Sequence, residues 1–324
     1  MQLPEDLQKA IETEIESTGL KELSQAREEL TDRYRIPSQK RQFMTSDVQR
    51  QSYLATRLPA TYAAVYQALQ AVKKQSEELS PNSLLDLGAG PGTALWAACN
   101  VFPTLQSATL LEKDLSLANF GKRLAQYSDH AAIQEARWET ADLEQLPDLP
   151  VHDIVTLSYS IGELAPALIP ALLEKCWQAA RQLLVIIEPG TPIGFERIRL
   201  IRRQLIEMGG HLVAPCPHHA ECPMEGQDWC HFAARIERTS FHRRLKSGSL
   251  SYEDEKFSYV AASKVVHPLP PARILRHPHH RSGHSLFTLC TANGVKQATV
   301  SKRCGSDYKQ ARKLEWGDPF PFNL

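Results

Sequence analysis

The chain has 324 residues, 42% hydrophobic and 23% charged, with 37 basic and 37 acidic side chains and a formal net charge of zero. That length and apolar content admit two domains with a real core, and they exclude disordered, collagenous and small disulfide-stapled classes. The zero is a cancellation: residues 1–230 carry 21 Lys+Arg against 30 Asp+Glu, residues 231–313 carry 16 against 5, and residues 314–324 carry none against 2.

The opening segment, MQLPEDLQKAIETEIE, lacks the basic-then-apolar layout of a signal peptide and is too acidic for an organelle transit peptide. No uninterrupted apolar run approaches the roughly 18 residues of a membrane span, so the expected setting is a bacterial cytoplasm. Residues 1–78 read as a helical N-terminal region, with apolar Leu3, Leu7, Ile11 and Ile15 followed by the amphipathic stretch LATRLPATYAAVYQALQAV. Within it Arg33, Arg35, Lys40, Arg41, Arg50 and Arg57 form a basic cluster, read as solvated helix faces.

From residue 83 to about 198, β-rich runs at 83–87, 108–111, 153–158 and 183–187 alternate with helical patterns at 93–100, 115–127, 166–180 and 195–208. That order predicts a doubly wound, Rossmann-like α/β fold. Runs at 229–238 and 257–263 are expected to complete the sheet as a hairpin across the polar loop RRLKSGSLSYEDE. Beyond about residue 264 the chain is rich in Pro, His and Arg and weakly periodic. Neither an internal repeat nor a low-complexity tract is present.

The strongest local motif is LLDLGAGPGT, in which Gly88, Gly90 and Gly92 stand between a hydrophobic strand and a helix. Glycines there let the chain turn sharply and a ligand approach the backbone. The Gly-Lys-Ser/Thr ending of a nucleotide-triphosphate loop is absent. The spacing GxGxG, with Asp86 two residues before the first glycine, resembles the first motif of class I S-adenosylmethionine (SAM) methyltransferases. By that resemblance Asp86 holds the methionine end of SAM and the glycine backbone packs on the ligand. Glu112, 26 residues further on at the end of the second strand, meets the need for an acid on the ribose hydroxyls. By the same resemblance Asp142 is the candidate for the adenine amino group, and Ser158, Tyr159 and Ser160, at the end of the fourth strand, would lie beside the methyl group. The segment SYSIGEL carries neither an Asn/Asp-Pro-Pro-aromatic tetrad nor a nucleophilic Cys; Glu163 could act as a base, but a lone Glu after a strand is more often a helix-start residue. The catalytic group is therefore unassigned.

Seven cysteines, an odd number in a chain without an export signal, favour metal or redox use over disulfides. Cys216, Cys222 and Cys230 follow a C-x5-C-x7-C spacing, with Cys290 as a distant fourth. Paired CxxC knuckles are missing, and prolines after Cys216 and Cys222 suit a loop around an iron–sulfur cluster. Spacing alone leaves zinc and iron–sulfur level, with His218, His219 and His231 as substitute ligands for zinc. Cys99, Cys176 and Cys304 read as small buried hydrophobes.

Several segments together resemble one family. LATRLPATYAA, LLDLGAGPGT, IEPGTPIGF, the CPH…CP…WCHF cluster, YEDEKFSYVAASK, GHSLFTLCTANG and YKQARKLEWGD, from about residue 33 to 317, are similar to the small-ribosomal-subunit methyltransferase-like family. The resemblance implies a class I methyltransferase fold, association with the small ribosomal subunit during assembly, and a [4Fe–4S] cluster on Cys216, Cys222, Cys230 and Cys290. It moves the metal preference to iron–sulfur. Lacking a presequence, the chain looks like a bacterial member. Whether members methylate rRNA or use the fold as a SAM-binding scaffold is not decided by the motifs.

The expected organisation is a helical region at 1–78, a methyltransferase-like domain at 79–264 with a cysteine-rich insertion at about 211–232, and a basic C-terminal extension at 265–324 that bears part of the metal site. The basic stretch 231–313, which also holds seven histidines, points to small-subunit rRNA or a precursor particle as partner.

Overall fold

The computed structural model describes residues 1–35, 44–245 and 250–322. Of the basic N-terminal cluster, Lys40, Arg41 and the side chains of Arg33 and Arg35 lie outside the described residues. Four helices come first: α1 (Glu5–Ile15), α2 (Leu20–Arg35), α3 (Asp47–Thr56) and α4 (Leu58–Gln75). Helix α1 forms because Leu7, Ala10, Ile11 and Ile15 recur at helical spacing, and all four are buried. Ser46 caps α3 by accepting from the Gln49 amide at 3.3 Å.

The central part then alternates: β1 (Ser83–Leu87), α5 (Thr93–Val101), β2 (Ser107–Glu112), α6 (Leu115–Ala125), α7 (Ala131–Gln134), β3 (Arg137–Thr140), β4 (His152–Ser158), α8 (Ile169–Ala179), β5 (Ala180–Pro189) and α9 (Pro192–Glu207). It ends with β6 (His211–Ala214), β7 (Phe232–Glu237), α10 (Ser240–Leu245) and β8 (Tyr252–Ser263). The sheet order is β3-β2-β1-β4-β5-β8-β6, with β7 also pairing β8. The first five strands are parallel, and β8 runs antiparallel to β5, β6 and β7.

This is the expected doubly wound, Rossmann-like architecture. Strand alternation sorts its core into two layers. Leu84, Ile154, Leu183, Val185 and Ile187 pack toward the side of α1, α4 and α5, whereas Leu85, Leu87, Val155, Leu157 and Ile186 pack toward α8 and α9. Helix α9 starts three residues earlier than predicted because Thr191 caps it and Pro192 opens its first turn.

The final segment departs from its weak periodicity. Strands β9 (Ala272–Ile274), β10 (His279–Arg281), β11 (His284–Thr291), β12 (Gly294–Ser301) and β13 (Pro319–Phe320), with helix α11 (Ser306–Ala311), form a second sheet. Its own core includes Ile274, Phe287, Leu289, Val300, Tyr308 and Phe320. Among the described residues no helix is long and apolar enough to cross a membrane.

Candidate functional site

The carboxyl ends of β1, β2, β4 and β5 lie at one edge of the sheet, where the strand order reverses between β1 and β4; in an open α/β sheet the crevice at such a switch point is the usual ligand position. The loop after β1 is bent at Gly88 (φ 69°). A Cβ on Gly88 would meet the Ser160 Cβ at 2.5 Å, so only glycine fits. Trp138 wedges between this loop and α6: a Cβ on Gly121 would lie 2.3 Å from the indole and 2.9 Å from the Pro91 carbonyl oxygen. Gly121→Ala is therefore expected to destabilise the fold by about 1–3 kcal/mol, read as a lower denaturant midpoint with unchanged slope.

Four acids converge around the crevice. Asp86 is fully buried; its Oδ1 accepts from the Thr156 hydroxyl at 2.7 Å, and its Oδ2 has no partner. Burial pushes its pKa up to about 7. Glu112 accepts from the Gly90 amide at 2.8 Å and the Asp114 amide at 2.7 Å, fastening the glycine loop to the turn after β2. Glu188, at the end of β5, is also fully buried; one oxygen accepts from Arg197 at 3.2 Å, the other has no partner, and burial raises its pKa to about 7. Glu163 stands solvent-reachable beside them and feels the charges of both Glu112 and Glu188. A crevice in which two buried carboxylate oxygens, Asp86 Oδ2 and Glu188 Oε1, lack a partner suits a cationic ligand.

The other predicted residues lie nearby. Asp142 follows β3, accepts from the Glu144 amide at 3.1 Å, and is ion-paired with Lys113, whose hydrogen bond lowers its pKa. Ser158 ends β4, half-buried. Next to it Tyr159 adopts a left-handed backbone (φ 58°), a sparsely populated state for a bulky side chain that marks a constrained turn. Its hydroxyl donates to Glu255 at 3.2 Å, and Glu255 in turn accepts two bonds from Arg57, at 3.1 and 3.2 Å. The network ties the α3–α4 junction and β8 to the crevice. Removing Arg57, whose side chain is 37% exposed, leaves Glu255 buried with only the Tyr159 hydroxyl; Arg57→Ala should cost about 1–3 kcal/mol, less than a fully buried pair. A double-mutant cycle with Glu255→Gln checks it. Arg50, buried and ion-paired with Asp114 at 2.8 Å, likewise corrects the reading of these cations as solvated.

Sequence reasoning missed Glu188 and the Arg57–Glu255–Tyr159 network. Glu188 had a usable signal, an acid directly after an apolar strand in IIEPG. Glu255 sits in a stretch read as a polar loop.

A second cavity, of about 40 Å³, is lined by Cys216, Cys222, Cys230 and Cys290, with Phe195, Tyr259 and Leu275 among its apolar walls. All four thiols interact electrostatically in every pairing. Burial, then repulsion from the other thiolates, raises Cys222 and Cys230 and pushes Cys290 up to about 12. Two buried guanidiniums accompany them. Arg202 Nε donates to Cys216 Sγ at 3.3 Å; Arg273 bonds the carbonyls of Pro215 and Gly317, while its Nη2 has no partner.

Of the substitute ligands only His218 reaches the cavity, with Nε2 3.5 Å from Cys290 Sγ. His219 accepts from the Leu212 amide, and His231 stacks on Trp229. Among the described residues no three His, Cys, Asp or Glu side chains converge closely enough to hold a metal ion, so the structure does not show the metal-bearing part expected from the sequence. Cys99 and Cys176 are buried as expected, but Cys304 is exposed, since it lies in the turn between β12 and α11.

The family model for the mitochondrial small ribosomal subunit protein Rsm22 matches residues 47–321. The human mitochondrial ribosome assembly protein METTL17 is 26% identical over 83% of this chain and 62% of its own length. The Rsm22-cox11 tandem protein 2 of Schizosaccharomyces pombe, also mitochondrial, is 27% identical over 85% of this chain and 43% of its own. The chain thus spans about half the length of these relatives. Among solved structures, a putative RNA methyltransferase from Pyrococcus horikoshii aligns with TM-score 0.40 at 15% identity, covering 61% of this chain and 82% of that one. Magnesium protoporphyrin IX methyltransferase from Synechocystis, with bound SAM, aligns with TM-score 0.42 at 13% identity, covering 81% and 98%. The expectation of a bacterial cytoplasm is corrected by these relatives, which are mitochondrial proteins. The match over residues 47–321 makes this chain a member of the family of the mitochondrial small ribosomal subunit protein Rsm22.

Proposed function

We propose that the chain is a SAM-binding factor in small-ribosomal-subunit assembly, with a structural [4Fe–4S] cluster and an rRNA-binding C-terminal part. The observation that carries the SAM reading is the pair of orphaned buried carboxylate oxygens, Asp86 Oδ2 and Glu188 Oε1, beside a glycine loop that admits no Cβ. Such a site suits a ligand that is both cationic and nucleoside-like. Asp86 would take the ammonium of the methionine end against the backbone of Gly88, Gly90 and Gly92. Glu112 keeps acceptor capacity beyond its backbone amides for the ribose hydroxyls, Asp142 would take the adenine amino group, and Ser158 would flank the methyl group. SAM supplies an activated methyl group when bound; no residue at the crevice is assigned to its transfer.

We read the cysteine cavity as a cluster site rather than a single-ion site, since no three of its thiols converge on one point among the described residues. One zinc draws its thiolates to about 2.3 Å from a common point, whereas a cubane binds each thiolate at a separate corner and so leaves them further apart. A four-thiolate cluster is anionic, and the buried Arg202 and the orphaned Arg273 Nη2 are suited to balance it. Its place between the 211–232 insertion and β11 suits a fastening of the extension, 265–324, to the domain at 79–264, with the helical region 1–78 packed against that domain. Arg202→Met is expected to speed iron loss to a chelator several-fold, followed by the decay of visible absorbance.

The test of the ribosomal reading is co-sedimentation with small-subunit precursors. Binding at low salt that disappears as salt rises is expected, and clean separation at low salt contradicts it. Mass spectrometry of small-subunit rRNA from wild-type and deletion strains separates scaffold from enzyme: a missing methyl mark assigns transfer to this crevice.

A further inference from the structure

The second sheet gathers cations on one corner. Residues 276–313 hold eight Lys and Arg against one acid, Asp307. The turn joining β10 to β11 is fastened to the turn after β12: the Lys302 amide donates to the Gly283 carbonyl at 2.8 Å, and Arg312 reaches the Arg281 carbonyl at 3.5 Å. Arg281, Lys302, Arg303 and Arg312 are all exposed. Among the described residues none of the four forms an ion pair. Lys309 and Lys313 extend the patch along α11 and beyond, while Tyr308 and Ala311 turn inward.

Holding several cations together without counter-charge is unfavourable unless a polyanion completes the surface. Protection of a sheet edge against pairing needs only a charge or two on the edge strand. Here one cation, Arg281, lies on edge strand β10, and Lys302, Arg303 and Arg312 lie off it. No Phe, Tyr or Trp ring lies bare at the corner, because Phe287 and Tyr308 are buried in the sheet's core; the exposed rings beside Arg281 are those of His279 and His280, and His280 is held by Ser285 and edge-on to Phe287. Unpaired bases are usually captured on exposed rings, whereas helical RNA is gripped through its phosphates.

We propose that the corner formed by Arg281, Lys302, Arg303 and Arg312 docks on the phosphate backbone of double-helical RNA. The proposal rests on the ribosomal reading above and narrows it to one face and one RNA form. It implies shape recognition without base specificity.

The test measures binding of the full chain to a 20-base-pair RNA duplex and to a single strand of equal length across a salt series, about 20 base pairs exceeding the span of one double-stranded-RNA module. The wild type is compared with R281A/K302A/R303A/R312A and with K9A/K21A/K74A/K122A, which removes four exposed cations elsewhere. Circular dichroism confirms that both variants fold. The corner variant is expected to bind the duplex at least about tenfold more weakly, with its salt slope reduced by about 3–4, roughly 0.9 per lost phosphate contact. The other variant should match the wild type. If the wild type binds the duplex and both variants behave alike, the corner is overturned while the RNA reading stands. Tighter binding of the single strand overturns the duplex assignment. A wild type that binds neither RNA at low salt overturns the RNA reading itself, and this proposal with it.

Discussion

Cys290→Ser is expected to reduce iron and acid-labile sulfide in anaerobically prepared protein from a full [4Fe–4S] complement to below about a tenth, because a hard hydroxyl does not replace a soft thiolate. Cys290 is on β11, in the second sheet, whereas Cys216, Cys222 and Cys230 lie between β6 and β7. Losing this one ligand is therefore expected to remove the cluster and with it one tie between the two sheets, while the Arg273 bond to the Pro215 carbonyl remains. A drop in melting temperature of about 5–10 °C should accompany it, the order set by a few kcal/mol in a chain of this size. In the absence of a cluster the same substitution changes one buried thiol with a pKa of about 12 and costs far less. Cys176→Ser, at a buried cysteine of the other core layer, is the control and should leave iron unchanged. An iron-free wild type whose stability is indifferent to Cys290 would contradict the cluster.

Asp86→Asn should move binding and stability in opposite directions. The ligand-free protein pays to ionise a carboxyl that burial has raised to about 7. Because the folded pKa lies above the unfolded value near 4, the stability from the protonated form is complete below about pH 4. It is lost as pH rises through about 7. At pH 8 the amide avoids that cost and keeps a carbonyl for Thr156, so the variant should be more stable than wild type by about 2–4 kcal/mol. The advantage should vanish near pH 4. The same change removes the charge proposed to meet the SAM ammonium, and affinity should fall about 100-fold, in line with roughly 2–3 kcal/mol for a charged hydrogen bond. Denaturant titrations at pH 4 and 8 measure the first effect and calorimetry the second. Loss of binding together with loss of stability at pH 8 would mean that Asp86 is a structural acid.

The glycine loop, Asp86 and Glu112 were legible because backbone geometry demands glycine and the strand–loop–helix order puts acids at known strand ends. The strands of the first sheet were legible as apolar runs, with two exceptions. Strand β3 reads RWET and has no fully buried residue, and β6 is four residues long between a Gly-Gly pair and a proline. The second sheet escaped detection because β12 buries only Val300 and β10 buries nothing, so neither carries a hydrophobic period. Strand β8 was read short: its first residues, YEDEK, pair with β7 and present polar side chains, among them the buried Glu255. The cysteines were legible as a set, whereas the guanidiniums beside them were not. Arg202 and Arg273 come from α9 and β9, and only folding brings them to one cavity.

Two buried carboxylate oxygens, Asp86 Oδ2 and Glu188 Oε1, have no partner beside the glycine loop and carry the proposed SAM site. Isothermal titration of the full chain with SAM at pH 8 tests it most directly. Saturable binding of one SAM per chain, weakened about 100-fold by Asp86→Asn, is the predicted result. Absence of saturable heat for the wild type, or equal affinity in the variant, would contradict it.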